Sequence, residues 1–362
     1  MKKKILSICI PLHNRTDKAI QLIENILKLE DDRYDIVISD SSDEGENLEK
    51  KWPHHDSRVV INRCDSSTLA IKNWKLALDH ADGVFAMHVN DRDELLLQNL
   101  TGLLDFLEEN QNLGGGVCKY IASSNTNTLI FEDKEDAILN VPFFSTHPTG
   151  IVINMEHYRK IKDVDDIFSD KKGIHPHDIV LGRISCYGKM FIYMDEVWKH
   201  ASKEFYKNNK SGVEMNVSKL FFYPSERLHE LKINIQEINS YSIDNNLKRK
   251  KIHQMNKTYL SLSTNTYFYF MESEHETSHY GIKKEKFNAI KRFIFSKQVL
   301  NLFSEEFNYS EKEKEEYAKW LRRAISIPII AKYTSLIRCN MIRSKLRRLR
   351  IKLEKKEQGL LR

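Results

Sequence analysis

Val84 to Val89 is an apolar run interrupted only by His88, preceded by Asp82-Gly83 and followed abruptly by Asn90-Asp91-Arg92-Asp93-Glu94. A run this short, bounded by turn residues and apolar on both alternating faces, fits a strand buried on both sides of a parallel sheet. In open α/β sheets ligands gather beyond the carboxyl ends of the strands, which puts Asp91 and Asp93 at a site mouth. Alternate side chains of an extended segment share a face, so one or both carboxylates can hold a hard cation that carries nucleotide phosphates. The pair fits equally well as solvated loop acids ahead of a helix beginning near Glu94, and an isolated Asp-x-Asp does not decide.

The flanking sequence supplies the rest of an α/β pattern. Ile5 to Ile10 is a strand candidate stopped by Pro11, and Thr16 or Asp17 can cap a helix through Ile20, Ile23, Ile26 and Leu27. Strands follow at 35–39 and 58–62, then a helix over 68–81 leads into the opening stretch. Strand, helix, strand, strand, helix, strand predicts an α/β fold with a largely parallel sheet, its first half (about 1–95) binding nucleotide. Past Glu94 an amphipathic helix runs through Leu97, Leu100, Leu103, Leu104 and Leu107. Gly114-Gly115-Gly116 lacks phosphate-loop spacing and reads as a turn before a strand over 117–121, with a polar turn at Ser123 to Asn127. Strands at 151–154 and 191–194, and helices from Met155 and after Asp178, complete an acceptor half over 96–205.

Beyond about residue 205 the pattern turns to long, charged, amphipathic helices, expected as an accessory region over 206–335. A basic tail, 336–362, places Ile342, Leu346, Leu349 and Leu353 on one stripe among Arg343, Lys345, Arg347, Arg348, Arg350 and Lys352. Such a helix can lie on anionic lipid, or pack on its own domain or in a coiled coil through the same leucines. Nucleic acid is not expected, because no aromatic residues interleave the arginines. The five cysteines have no C-x-x-C spacing, which argues for reduced thiols in the cytosol and against a disulfide scaffold or zinc site. The apolar start is too short for a signal peptide, and no stretch has the length of a spanning helix. A cytoplasmic protein, peripheral on the inner face of the plasma membrane through its tail, is the expectation.

Three pieces, in order, resemble the family-2 glycosyltransferases of the GT-A fold. They are Leu6 to Arg15 with its Pro-x-x-Asn-Arg turn, Ile36 to Ser42, and Asn73 to Leu78 leading through Gly83 to Asp91-Arg92-Asp93-Glu94-Leu95. The similarity covers about residues 5–205 and is nearest the bacterial surface-polysaccharide enzymes of abequosyltransferase type. It implies an inverting transfer from a nucleotide-diphosphate sugar, UDP-linked by preference, to a lipid-linked or surface-polysaccharide oligosaccharide. Pro11, His13 and Arg15 would flank the nucleotide and Asp40 would bond the base, with Lys72 and Asn73 facing the donor. Asp91 would orient ribose and sugar, and Asp93 would bind Mg2+ or Mn2+ across the diphosphate, a Lewis-acid role. Arg92 stands where relatives carry a further aspartate, removing one acid and adding a cation beside the phosphates.

The resemblance also implies Asp178 as the base that takes the acceptor proton, the alternative being a helix-capping aspartate. His177, with His175 beside it, would contact the acceptor or adjust Asp178. His200 matches a third metal ligand, and Thr146-His147-Pro148-Thr149-Gly150 the loop under the transferred sugar, with Gly150 leaving room for it. A nucleotidyltransferase would carry a glycine- and lysine-rich first loop, which Pro11-Leu12-His13-Asn14 is not. A non-catalytic nucleotide-sugar-binding protein of the same fold is the remaining alternative.

Overall fold

A computed structural model describes residues 3–52, 56–118, 128–143, 147–169, 175–200, 220, 222–279 and 281–336. The expected strand residues 119–121, the turn Ser123 to Asn127 and the basic tail from 337 lie outside them. Contacts divide the chain into a first unit, Met1–Phe205 with Gln236–Lys248, and a second, Tyr206–Ile235 with Arg249–Arg362.

The first unit is built on eight strands: β1 (Leu6–Leu12), β2 (Tyr34–Asp40), β3 (Val59–Arg63), β4 (Phe85–His88), β6 (Leu113–Cys118), β7 (Leu129–Phe131), β8 (Ile151–Asn154) and β9 (Lys189–Tyr193). Their order is β3-β2-β1-β4-β8-β6-β9-β7. The β1, β2, β3 and β4 pairings are parallel, β8 runs antiparallel between β4 and β6, and β6 pairs parallel with β9. β1, β4 and β8 are buried along their whole length, which is why their sequences are continuous apolar runs. Helices α1 (Thr16–Leu27), α2 (Leu48–Lys51), α3 (Ala70–Asp79), α4 (Leu97–Glu109), α5 (Lys134–Asn140), α6 (Met155–Tyr158), α7 (Val164–Ile167) and α8 (Pro176–Ser185) connect these strands. α1 and α4 bury Ile23, Ile26, Leu100, Leu103, Leu104 and Leu107 in one core with the sheet.

Three expectations need correction. The N-cap of α1 is Arg15, with no side-chain cap bond, so neither Thr16 nor Asp17 caps it. Pro11 does not stop β1, which continues to Leu12 with Pro11 opposite Ser39 of β2. Pairing with β4 ends at Cys9 opposite His88, so the proline's missing N–H falls on the side where the ladder has already finished. Gly114-Gly115-Gly116 is not a turn but the body of β6. A Cβ on Gly116 would strike the Phe191 carbonyl and ring, and one on Gly114 would lie 2.5 Å from Ile184. Glycine is there because neighbouring strand and helix come closer than any side chain permits.

A second, two-stranded ribbon positions the site. β5 (Glu94–Leu95) pairs antiparallel with β10 (Trp198–Lys199), with Leu95 opposite Trp198 and Glu94 opposite Lys199. Helices α9 (Pro224–Ser240), α10 (Asn245–Glu272), α11 (Glu274–His279), α12 (Ala289–Phe307) and α13 (Glu311–Leu336) complete the described chain. Among the described residues, no helix is long and apolar enough to cross a membrane.

Gly116→Ala is expected to lower unfolding free energy by at least about 2 kcal/mol, because the clash is with strand backbone and not a flexible side chain. An unchanged urea midpoint would remove the packing explanation for this glycine.

Candidate active site

The carboxyl ends of β1, β2 and β4 are tied together by short polar bonds. His13 Nδ1 lies 2.8 Å from the Ser41 carbonyl, and Asn14, in the left-handed region at φ 52°, exchanges hydrogen bonds with Asp43. The buried Asn73 side chain donates to the Leu12 carbonyl and to Ser41 Oγ, both at 3.0 Å. Asp40 is fully buried; its carboxylate accepts the Ser42 and Leu48 N–H groups and pairs with Arg63 at 3.0 Å. Asn73 and Asp40 therefore shape these loops from within, and Pro11 is buried in β1, while Lys72 is exposed on α3.

Asp91 is buried, and one of its oxygens accepts from Arg15 Nε at 2.8 Å. Its other oxygen, Oδ1, is buried and, among the described residues, has no hydrogen-bond partner. A buried carboxylate oxygen left so is costly unless a ligand hydroxyl completes it. Arg15 is held by this contact yet 39% exposed, which leaves a cation at the strand ends.

Asp93 has a different environment. Its Oδ2 accepts Thr149 Oγ1–H at 2.5 Å, and that hydroxyl accepts Asn90 N–H at 2.9 Å, so the carboxylate is oriented by a short chain of bonds. The β5–β10 register, continued by one residue, sets His200 opposite Asp93. His147 approaches from the turn before β8, its Nε2 3.5 Å from Asp93 Oδ2. One ligand atom each from Asp93, His147 and His200 lies within 4.8 Å of the others.

Trp198 organises the two imidazoles. Its ring stacks on His147 with centroids 4.7 Å apart and meets His200 edge-on at 4.9 Å. The indole N–H donates to the Cys118 carbonyl at 3.3 Å. Gly150, at φ 86°, leaves the space that this indole fills, since a Cβ there would strike Trp198 Nε1.

The donor set suits a divalent metal. Burial pushes His147 down to about 2, helped by the positive charge of Arg92; burial also lowers His200, against the pull of Asp93. Both imidazoles are thus kept neutral, the form that ligates. Two imidazoles and one carboxylate favour Mn2+ over the all-oxygen preference of Mg2+. Thr149 N–H bonds His147 Nδ1 at 3.2 Å, so ligation through Nε2 would move the ring proton to Nδ1 and end that bond.

Asp178 lies in the first turn of α8, whose N-cap is His175 and whose first helical residue is Pro176. It is not the cap. It is fully buried, and its Oδ1 accepts Phe143 N–H at 2.9 Å. His177 is buried, and among the described residues neither ring nitrogen has a hydrogen-bond partner. Trp74 of α3 lies between it and His88 of β4, with centroids 6.0 and 5.1 Å away.

Residues 7–161 match the family model described as glycosyl transferase family 2. That segment, 155 of 362 residues, is similar to a family-2 glycosyltransferase domain. No curated protein sequence matches the chain. The crystal structure of S. aureus TarS 1-349 aligns with 88% of this chain and 90% of its own at TM-score 0.53 and 14% identity. The same TarS segment in complex with UDP-GlcNAc aligns over the same shares at 0.54 and 13%. At such identity the likeness is one of fold, and it agrees with the mixed sheet: the domain has the GT-A architecture with a helical C-terminal region. The matched segment ends before Asp178, Trp198 and His200, which α8 and β10 with the residue after it supply. Trp198 and the ligand position of His147 are the additions; Trp198-Lys199-His200 after a strand was their one sequence signal.

Burial pushes His88 down to about 3 and His177 well below the ordinary histidine value, with His175 adding to the second. In the unfolded chain both titrate near 6.5, so stability is full above that pH and falls as pH drops toward the folded values. Each should add a slope approaching about 1.4 kcal/mol per pH unit below about pH 6. His88→Gln should flatten the measured stability–pH curve; an unaltered slope would contradict the burial argument.

Proposed function

We propose that the chain is a metal-dependent, inverting glycosyltransferase. Its donor is a nucleotide-diphosphate sugar, UDP-linked by preference, and its acceptor a growing lipid-linked or surface-polysaccharide oligosaccharide of the kind abequosyltransferase-like enzymes extend. The observation that carries the reading is the convergence of Asp93, His147 and His200 at the strand ends of a family-2 domain. TarS crystallised with UDP-GlcNAc supports a nucleotide sugar as the donor class only by fold.

Asp93, His147 and His200 would hold Mn2+, with Mg2+ the weaker fit. When bound, the metal neutralises charge that develops on the leaving nucleoside diphosphate. Arg15, held by Asp91, and Arg92 add cationic character at the diphosphate. Asp91 Oδ1 accepts a ribose or sugar hydroxyl, which satisfies its otherwise unpartnered oxygen. His13 and the loop braced by Asp40 and Asn73 flank the nucleotide, with Pro11 beneath and Lys72 at the rim. Asp178 accepts the proton of the acceptor hydroxyl as that oxygen attacks the anomeric carbon and the bond to the diphosphate breaks. The Phe143 N–H fixes the carboxylate for this, and His177 and the 147–150 turn line the acceptor side. The basic tail, residues 336–362, supplies a membrane-surface contact at the cytoplasmic leaflet.

Asp178→Asn is expected to lower kcat by about 10²–10⁴ while UDP affinity stays within a few-fold. Asp93→Ala is expected to abolish Mn2+-enhanced UDP binding in calorimetry together with turnover. Full turnover in either variant would overturn that residue's role. Tight UDP and Mn2+ binding with no transfer or hydrolysis of any donor would favour a non-catalytic binding protein.

A further inference from the structure

α12 is held on one side and open on the other. Its inward side buries Ser296, Val299, Leu300, Phe303 and Ser304. Phe295 stacks on Tyr267 of α10 at 4.4 Å, and Arg292 lies over Phe268 and pairs with Glu272 at 2.7 Å. Those contacts fix the first turns of α12 against α10. An adjoining side presents Ile290, Phe293 and Ile294, which are 70%, 44% and 51% exposed. Their spacing is that of one helical stripe, continued by Lys297, whose Nζ sits 4.8 Å above the Phe293 ring.

Charge around this stripe is one-sided. Lys283, Lys284, Lys286, Lys291, Arg292 and Lys297 stand against Glu285 alone, six cations less one acid, or +5 across 283–297. Lys284 and Arg292 are paired with Glu274 and Glu272. Lys283, Lys286 and Lys291 are exposed and, among the described residues, have no ion pair. No further acid follows before Glu305. Protein interfaces favour aromatic residues and arginine but are depleted in lysine. Exposed isoleucine and phenylalanine bordered by lysines on a rigid helix match the side chains of an interfacial helix on anionic lipid.

We propose that this face of α12 is a membrane-surface contact. Ile290, Phe293 and Ile294 enter the boundary between headgroups and acyl chains of an anionic bilayer, and Lys283, Lys286, Lys291 and Lys297 meet the lipid phosphates. The contact is interfacial. It is separate from the basic tail and does not depend on the transferase reading.

The test is co-sedimentation of the full chain with phosphatidylcholine vesicles with and without phosphatidylglycerol. Wild type should bind the anionic vesicles more tightly, and less so as salt rises. Phe293→Glu/Ile294→Glu should weaken the partition coefficient at least about tenfold. Lys291→Glu/Lys297→Glu should weaken it on anionic vesicles, with circular dichroism and melting temperature kept in both variants. Wild type that does not bind anionic vesicles, or folded double variants that bind like wild type, would overturn the proposal. Binding lost only on Arg347→Glu/Arg348→Glu in the tail would do the same. Vesicle binding without donor turnover would count against the transferase and leave this contact standing.

Discussion

Two backbone pairs, Leu95 with Trp198 and Glu94 with Lys199, decide where the chemistry of the first unit sits. This short antiparallel ribbon carries a segment about a hundred residues downstream back to the end of β4. Because strand side chains alternate, a slip of one residue would turn His200 away from Asp93 and Trp198 out of its pocket. Trp198 in turn stands where Gly150 has no side chain, and its ring is the surface on which His147 stacks. Register, glycine and indole form one dependency, and the clustering of Asp93, His147 and His200 is its product.

Charge is arranged by the same burial. Asp91 and Asp93 are two residues apart in the turn after β4, and their surroundings differ. Asp91 is matched to a cation through Arg15, whereas Asp93 is oriented by the neutral Thr149 hydroxyl and faces two imidazoles. Burial keeps those imidazoles uncharged, the form that can ligate a metal ion.

Much of the architecture was readable because buried parallel strands are predominantly apolar, as β1, β2 and β4 are apart from Ser7, Asp35, Ser39, Asp40 and His88. The same logic located Asp91 and Asp93 at strand ends, and the order of motifs pointed to the family-2 domain. Failures came where distance along the chain is long and distance in space is short. Gly114 to Gly116 has the local look of a turn, but its reason is Phe191 and Ile184, some seventy residues away in sequence. His147 was placed by resemblance in the loop under the transferred sugar, and its grouping with Asp93 and His200 had no local signal. The hydrogen bonds of Asp40 and Asn73 to the chain's own loops were not legible either.

The central claim is that Asp93, His147 and His200 hold one metal ion at the nucleotide site. An anomalous difference map from crystals grown with UDP and Mn2+ tests it most directly. The account predicts a single strong peak about 2.0–2.3 Å from one atom of each of the three side chains, with diphosphate oxygens on its open side. A peak bound by Asp91 and the phosphates, with both histidines out of reach, would contradict it.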